Sequence, residues 1–427
     1  MTADVSARIE EFRRTLDVES LRADLRAARG PLVEPAGEDV LVTFVWIGPQ
    51  RQVSVRGAQL FADRNAMSHP MRQVEDTDVW CLSVVAPPGV TTVYQYLIDD
   101  PFLDADKTDL ALLGRLVVES RERSYADPFN PNRLFPQAAK IAGVDEAPSD
   151  QWDSVLELPG LEATPWFDDE APALTQHRLR SRVLGNERAI SVYAPPGEVP
   201  RPLVILLDGE SWLSVARLHV ALGNLMTVGA IAPAVVAFVD NPPGAMTARM
   251  NEMACNPDLT RMLTDELLPL LRSHHDISDT VIVGGNSLGG LAASYAAYER
   301  PDVFGAVLSV SGSHWWGYRP GPGGWGKDGE PEWLTRQYAA APRKPIRFWI
   351  DVGRLETGVS PLSPGVDQRA ANRHLRTVLV AKGYDVTYHE APGGHEFATF
   401  RRSVVKGLQA LLPGEGGRVS GPHPRRP

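Results

Sequence analysis

At 427 residues the chain is long enough for two domains, one of them an α/β unit with a full core. Its composition, 43% hydrophobic and 22% charged, is that of a soluble globular protein, and no apolar run approaches the ~20 residues of a membrane span. The net charge of −10 argues against nucleic acid as a partner, and an anionic substrate would need a local basic patch to overcome that field.

Only Cys81 and Cys255 are present, far apart, so no disulfide framework is expected. The first ten residues are polar and contain no apolar signal core, which makes the cytoplasm the expected location. Val5, Ile9, Phe12, Leu16, Leu21 and Leu25 recur at helical spacing among acids and arginines, and Gly30-Pro31 ends the pattern. This predicts an N-terminal helix within residues 1–30.

From Asp39 the period changes to that of strands. Val40–Trp46, Gln52–Val55, Val79–Val85 and Thr92–Ile98 are short runs separated by turn formers such as Gly48-Pro49 and Pro87-Pro88-Gly89. They predict a β-sandwich over residues 38–125, serving as a substrate lid, a sugar-binding module or scaffolding. Residues 126–173, rich in proline and acids, are expected to be a linker whose Trp166 and Phe167 seek burial on the second domain.

Residues 174–412 alternate. Continuous apolar strands (Ala189–Ala194, Leu203–Leu207, Ala234–Val239, Val281–Val283, Gly305–Val310, Ile346–Ile350, Val386–Tyr388) are interleaved with helical stretches at 213–228, 258–273, 288–299, 367–382 and 397–411. The pattern predicts a mostly parallel sheet covered by helices on both faces. The glycine- and proline-rich tail, 413–427, is expected to be disordered.

Within the second domain, Gly285-Asn-Ser-Leu-Gly289 fits G-x-S-x-G, the nucleophile elbow, with a strand before it and a helix after it. A serine hydroxyl needs a base, and in this fold an acid and then a histidine follow it in chain order. His395, in Ala391-Pro-Gly-Gly-His-Glu-Phe397, is the candidate base. His274 and His275 are read as solvated helix ends, and His314 as a pocket-lining residue beside Trp315 and Trp316. Glu356 is the preferred acid and Asp351, at a strand end, the alternative. The oxyanion donors are expected at Leu288, after the nucleophile, and at Gly209 or Glu210, after the Leu203–Leu207 strand.

Gly284–Gly290, Leu207-Asp-Gly-Glu-Ser-Trp212, Ser311-Gly-Ser-His-Trp-Trp316 and Gly393-Gly-His-Glu-Phe397 together resemble the enterochelin esterase family of α/β hydrolases. Arg249-Met-Asn-Glu-Met-Ala-Cys-Asn256 resembles its Arg-x-x-Glu-Leu-x-Cys-Asn motif, with Met253 for leucine. Val42–Trp46, Thr77–Trp80 and Asp127-Pro-Phe-Asn-Pro131 resemble its N-terminal domain. The resemblance, over about 38–412, implies a cytosolic esterase opening the trilactone of a ferric catecholate siderophore, with no cofactor and iron present only in the substrate. It implies a Ser287–Glu356–His395 triad and a pocket wall from Arg249, Glu252 and Asn256. Trp315 and Trp316, with Trp212, are candidates for catechol contact, and Arg249, Arg319 and Arg354 for local positive charge. An Arg249–Glu252 ion pair, three residues apart, is the structural alternative for that arginine. The rival functions are a carbohydrate esterase of feruloyl or acetylxylan type and a non-catalytic siderophore binder.

Overall fold

The computed structural model describes residues 6–61, 68–106, 110–141, 144, 146–167, 170–197, 199–242, 246–317, 330–357, 359–360 and 363–414. They form two compact units. One comprises Met1–Ala163 with Gly353–Asp367 and Ala391–Thr399; the other comprises Thr164–Val352, Gln368–Glu390 and the chain from Phe400.

The first unit opens with two helices, where the apolar spacing predicts one. Ala7–Thr15 ends where Leu16 turns left-handed (φ 55°), and the Asp17 carboxylate accepts from Ser20 N–H at 3.0 Å to cap Val18–Ala28. Ile9, Phe12, Leu21 and Leu25 cluster with Leu32, Val45 and Val79 of the sheet beneath, and with Val74 just past one of its strands.

Behind them lie two antiparallel sheets, the expected sandwich. Leu32–Ala36, Asp39–Ile47, Val79–Ala86 and Arg72–Gln73 make the first, in that order. Ser68–Pro70, Val53–Gly57, Thr91–Ile98, Asp153–Glu157 and Arg133–Leu134 make the second. Val42 and Phe44 of one sheet pack with Val53, Val55, Tyr94 and Tyr96 of the other. The expected linker therefore belongs partly to the sandwich: Ser154–Glu157 pairs with Thr91–Tyr94, because Val155 and Leu156 have a core to fill. Asp127 of the Asp-Pro-Phe-Asn-Pro motif accepts from Tyr94 Oη at 2.7 Å, and Asn130 Nδ2 donates to Val155 O at 2.9 Å. The motif is a clamp on the sheet.

The second unit is built on one eight-stranded sheet: β1 (Thr175–Ser181), β2 (Asn186–Tyr193), β3 (Arg201–Leu207), β4 (Val235–Val239), β5 (Ile277–Asn286), β6 (Ala306–Val310), β7 (Arg347–Gly353) and β8 (Asp385–Ala391). The order is β1-β2-β4-β3-β5-β6-β7-β8. β2 pairs antiparallel with β1 and β4, whereas the pairs from β4 through β3, β5 and β6 to β7 are parallel. The central strands are buried on both faces, as their uninterrupted Val, Ile and Leu runs require. This is the α/β-hydrolase arrangement, and it brings the loops after β3, β5 and β6 to one edge. Two helices depart from the predicted pattern: 213–228 breaks at left-handed Arg217, and Met262–Leu267 is a π-turn. Of the expected tail, Pro413 bridges Ile231, and 415–427 lie outside the described residues. No helix among the described residues is long and apolar enough to cross a membrane.

Candidate active site

Ser287 stands between β5 and the helix Leu288–Glu299 with φ 56° and ψ −120°. A non-glycine residue there is strained, and the strain holds the side chain at the apex of the turn. Gly285 makes the turn possible, since a Cβ on it would lie 2.8 Å from the carbonyl carbon of Gly289. The Ser311–Ser313 turn after β6 wraps the same point. Ser313 N–H donates to Ser287 O at 2.9 Å, and the Oγ atoms of Ser287 and Ser313 are 3.2 Å apart. Gln368 and Asn372 fix that turn by donating to the carbonyl of Gly312. Leu288 occupies the first helical position, where helix geometry gives its N–H no partner.

The loop after β3 sits beside the elbow, because β3 and β5 are parallel neighbours. Asp208 is left-handed (φ 64°) and precedes Gly209, where a Cβ would meet Phe238 C at 2.6 Å and Val239 N at 2.7 Å. Glu210 accepts from Asn241 N and Nδ2 at 3.0 and 2.7 Å. Arg249 pairs with both oxygens of Asp208, from Nε at 2.5 Å and Nη2 at 2.6 Å.

In the first unit, His395 Nδ1 lies 2.6 Å from Glu356 Oε2. Glu356 is buried, and its Oε1 accepts from Gly353 N–H at 2.7 Å. His395 N–H donates to Gln59 Oε1 at 2.9 Å. Asp351, the alternative acid, is held by a different histidine: its Oδ2 lies 2.7 Å from His389 Nδ1.

Several residues expected to contact substrate have partners within the fold. Glu252 is buried on Arg188 at 2.9 Å, not on Arg249, so the expected Arg249–Glu252 pair does not form. Asn256 caps the helix Pro257–Arg261 through Asp258 N–H. Trp212 is fully buried and donates from Nε1 to Leu207 O at 3.0 Å. Trp316 is in the core, edge-on to Trp333, and only Trp315 of the pair is partly exposed. His314 does not line a pocket: it is buried against Ser309 Oγ at 3.0 Å, and burial pushes its pKa down to about 3. His274 is exposed, and His275 is half-buried beside His177. Arg354 is exposed, reaching Gly89 O at 3.3 Å. Arg319 lies outside the described residues. The sequence reading missed Asp208, Asn241, Ser313, Gln59 and Arg188. Arg188 had a visible signal, a charge at an inward position of an apolar strand. Among the described residues no group of three or more His, Cys, Asp or Glu is placed to hold a metal ion.

The family described as "Enterochelin esterase, N-terminal" matches residues 41–166, and that described as "Putative esterase" matches 181–411, more than half of the chain. The chain belongs to the enterochelin esterase family. The iron(III) enterobactin esterase of Dickeya dadantii is 28% identical over 416 residues, spanning 90% of this chain and 91% of the relative. The iron(III) salmochelin esterase of Escherichia coli is 27% identical over 400 residues, spanning 89% and 90%. Among solved structures, the ferric enterobactin esterase of Salmonella typhimurium superposes with a TM-score of 0.74 at 26% identity, covering 91% of this chain and 98% of that one. The Shigella flexneri enterobactin esterase, crystallised in the presence of enterobactin, gives 0.71 at 26% identity, covering 90% and 96%. These enterochelin esterase matches take in the sandwich as well as the hydrolase sheet.

Proposed function

We propose that this enterochelin esterase family member hydrolyses the trilactone backbone of a ferric catecholate siderophore, in the cytoplasm, with Ser287 as nucleophile. The observation that carries the chemistry is the strained Ser287 elbow at the C-terminal end of β5. In the proposed reaction the Ser287 Oγ attacks a lactone carbonyl while His395 Nε2 takes its proton. Glu356 holds Nδ1–H and stabilises the imidazolium, which supports this tautomer through the 2.6 Å contact. The N–H groups of Leu288 and Gly209 receive the oxyanion. As the lactone C–O bond breaks, His395 gives the proton to the departing seryl oxygen, which becomes a hydroxyl, and water, activated by the same imidazole, releases the acyl-enzyme. This chemistry calls for no resident cofactor; iron enters and leaves with the siderophore. Trp315 and Arg354 remain candidates for the catechol rings and the anionic charge.

The tandem family match weighs against a carbohydrate esterase, and the intact Glu356–His395 pair weighs against a non-catalytic binder. The test is incubation with ferric and iron-free enterobactin, following linear trimer, dimer and monomer by chromatography. Ser287→Ala should abolish ring opening, with a loss near 10⁶ in kcat, about that of a triad serine. Serine-dependent turnover of a simple aryl ester with the siderophore left intact would overturn the substrate assignment. Absence of turnover on both would overturn the esterase reading.

A further inference from the structure

Arg249 was expected to meet an anionic substrate, yet its Nε and Nη2 are both engaged by the carboxylate of Asp208. Asp208 is buried, and a Cβ on Gly289 would lie 3.2 Å from its Oδ2. The carboxylate thus sits against the second residue of the nucleophile helix. A negative charge there works against the reaction. The first-turn N–H groups and dipole of that helix supply positive potential, and an oxyanion formed at Ser287 depends on it. A carboxylate beside Gly289 opposes that potential, and a bidentate guanidinium cancels the opposition while fixing the turn.

The neighbours point the same way. Asn241 Nδ2 donates to Asp208 Oδ1 at 2.7 Å and also to Glu210 Oε1 at 2.7 Å, tying both acids of the loop together. Burial, and then the Asp208 charge, raises the Glu210 pKa. Burial works to lower the pKa of Arg249, but the charges of Asp208 and Glu210 hold it above its ordinary value.

We infer that Arg249 is a positioning residue for the oxyanion site, neutralising Asp208 and locking the Asp208–Gly209 turn, and is not a contact for the siderophore. The inference rests on the esterase reading of Ser287. It is tested with Arg249→Met, Asp208→Asn and the double variant, each assayed on ferric enterobactin and on a neutral aryl ester. Arg249→Met should lower kcat about 10²-fold on both substrates, the size of losing one oxyanion donor, with KM little changed. Asp208→Asn should rescue Arg249→Met at least tenfold, because the charge that needed cancelling is gone. A rise in KM confined to the siderophore, with kcat intact, would overturn the inference. A double variant no faster than Arg249→Met would also overturn it. Should Arg249→Met fail to fold, the comparison moves to the Asp208→Asn background: there, loss of Arg249 should barely alter kcat, and a large drop refutes the inference. Turnover of the aryl ester alone by the unaltered enzyme would sink the siderophore assignment while leaving this test in force. Turnover of neither substrate would remove the reading beneath it.

Discussion

Replacing Glu356 by glutamine gives a test whose outcome the geometry fixes in advance. Gly353 N–H donates to Oε1 at 2.7 Å, so the amide oxygen of the glutamine must take that place. Its NH₂ then faces His395 Nδ1, which must accept rather than donate. The imidazole proton moves to Nε2, the atom proposed to take the proton of Ser287, and in that mechanism the base is lost to the wrong tautomer. The corresponding change in a serine triad costs about 10⁴ in kcat, or about 5.5 kcal/mol of barrier at 1.36 kcal/mol per decade. Steady-state turnover of a neutral aryl ester and chromatography of siderophore products would measure it, with circular dichroism melts to confirm folding. Asp351→Asn is the control, because that acid is committed to His389 and its loss should cost less than about tenfold. Retention of more than about a tenth of the activity by Glu356→Gln, or a larger loss in the control, would refute the reasoning.

Glu252→Ala should destabilise by about 3–5 kcal/mol, since it leaves Arg188 buried without its partner; a normal Tm with a raised KM would instead favour the pocket-wall role. Burial raises the Glu396 pKa from 4.5 to about 8. A buried acid with a raised pKa costs nothing below its unfolded value, so stability falls as pH climbs through that interval and levels off above it. Tm measured from pH 5 to 9 should decline, and Glu396→Gln should flatten the decline; an unchanged slope in the variant would count against this assignment. Asp153, pushed up to about 7 by burial, adds to the same trend. Gly285→Ala forces a Cβ against the backbone of Gly289 and should lower both Tm and kcat, with about 1–3 kcal/mol of strain; wild-type turnover would show that the turn relaxes.

What the sequence disclosed follows from how local each signal is. A Gly-flanked serine between a β-branched run and an alanine-rich helix is a local pattern, and so the elbow was legible. The parallel sheet was equally legible from its apolar runs. Asp153–Glu157 was not, because a single short strand amid prolines joins a sheet only when Thr91–Ile98 supplies its partner. The tryptophans misled too: Trp212, a candidate for catechol contact, is fully buried with its Nε1 donating to Leu207 O. Arg249 and Glu252 sit at a spacing that invites an ion pair, but Asp208 and Arg188, forty-one and sixty-four positions distant, compete better. His395 was found by chain order. Asp351 and Glu356 are five residues apart and each holds a histidine, so only the contact of Glu356 with His395 distinguishes them.

The loops Gly353–Asp367 and Ala391–Thr399 complete the first unit although they are encoded near the end of the chain. Leu355 fills the sandwich core, Ala398 packs with Leu134 and Val155, and Thr91 N–H donates to Pro392 O at 2.9 Å. During synthesis the sandwich strands therefore leave the ribosome long before their last pieces. At about 5–20 residues per second, the stretch from residue 164 to 399 takes roughly 10–50 s. Through that interval the nascent sandwich holds an unfilled core, and its window for chaperone capture or misassembly closes only with the histidine loop.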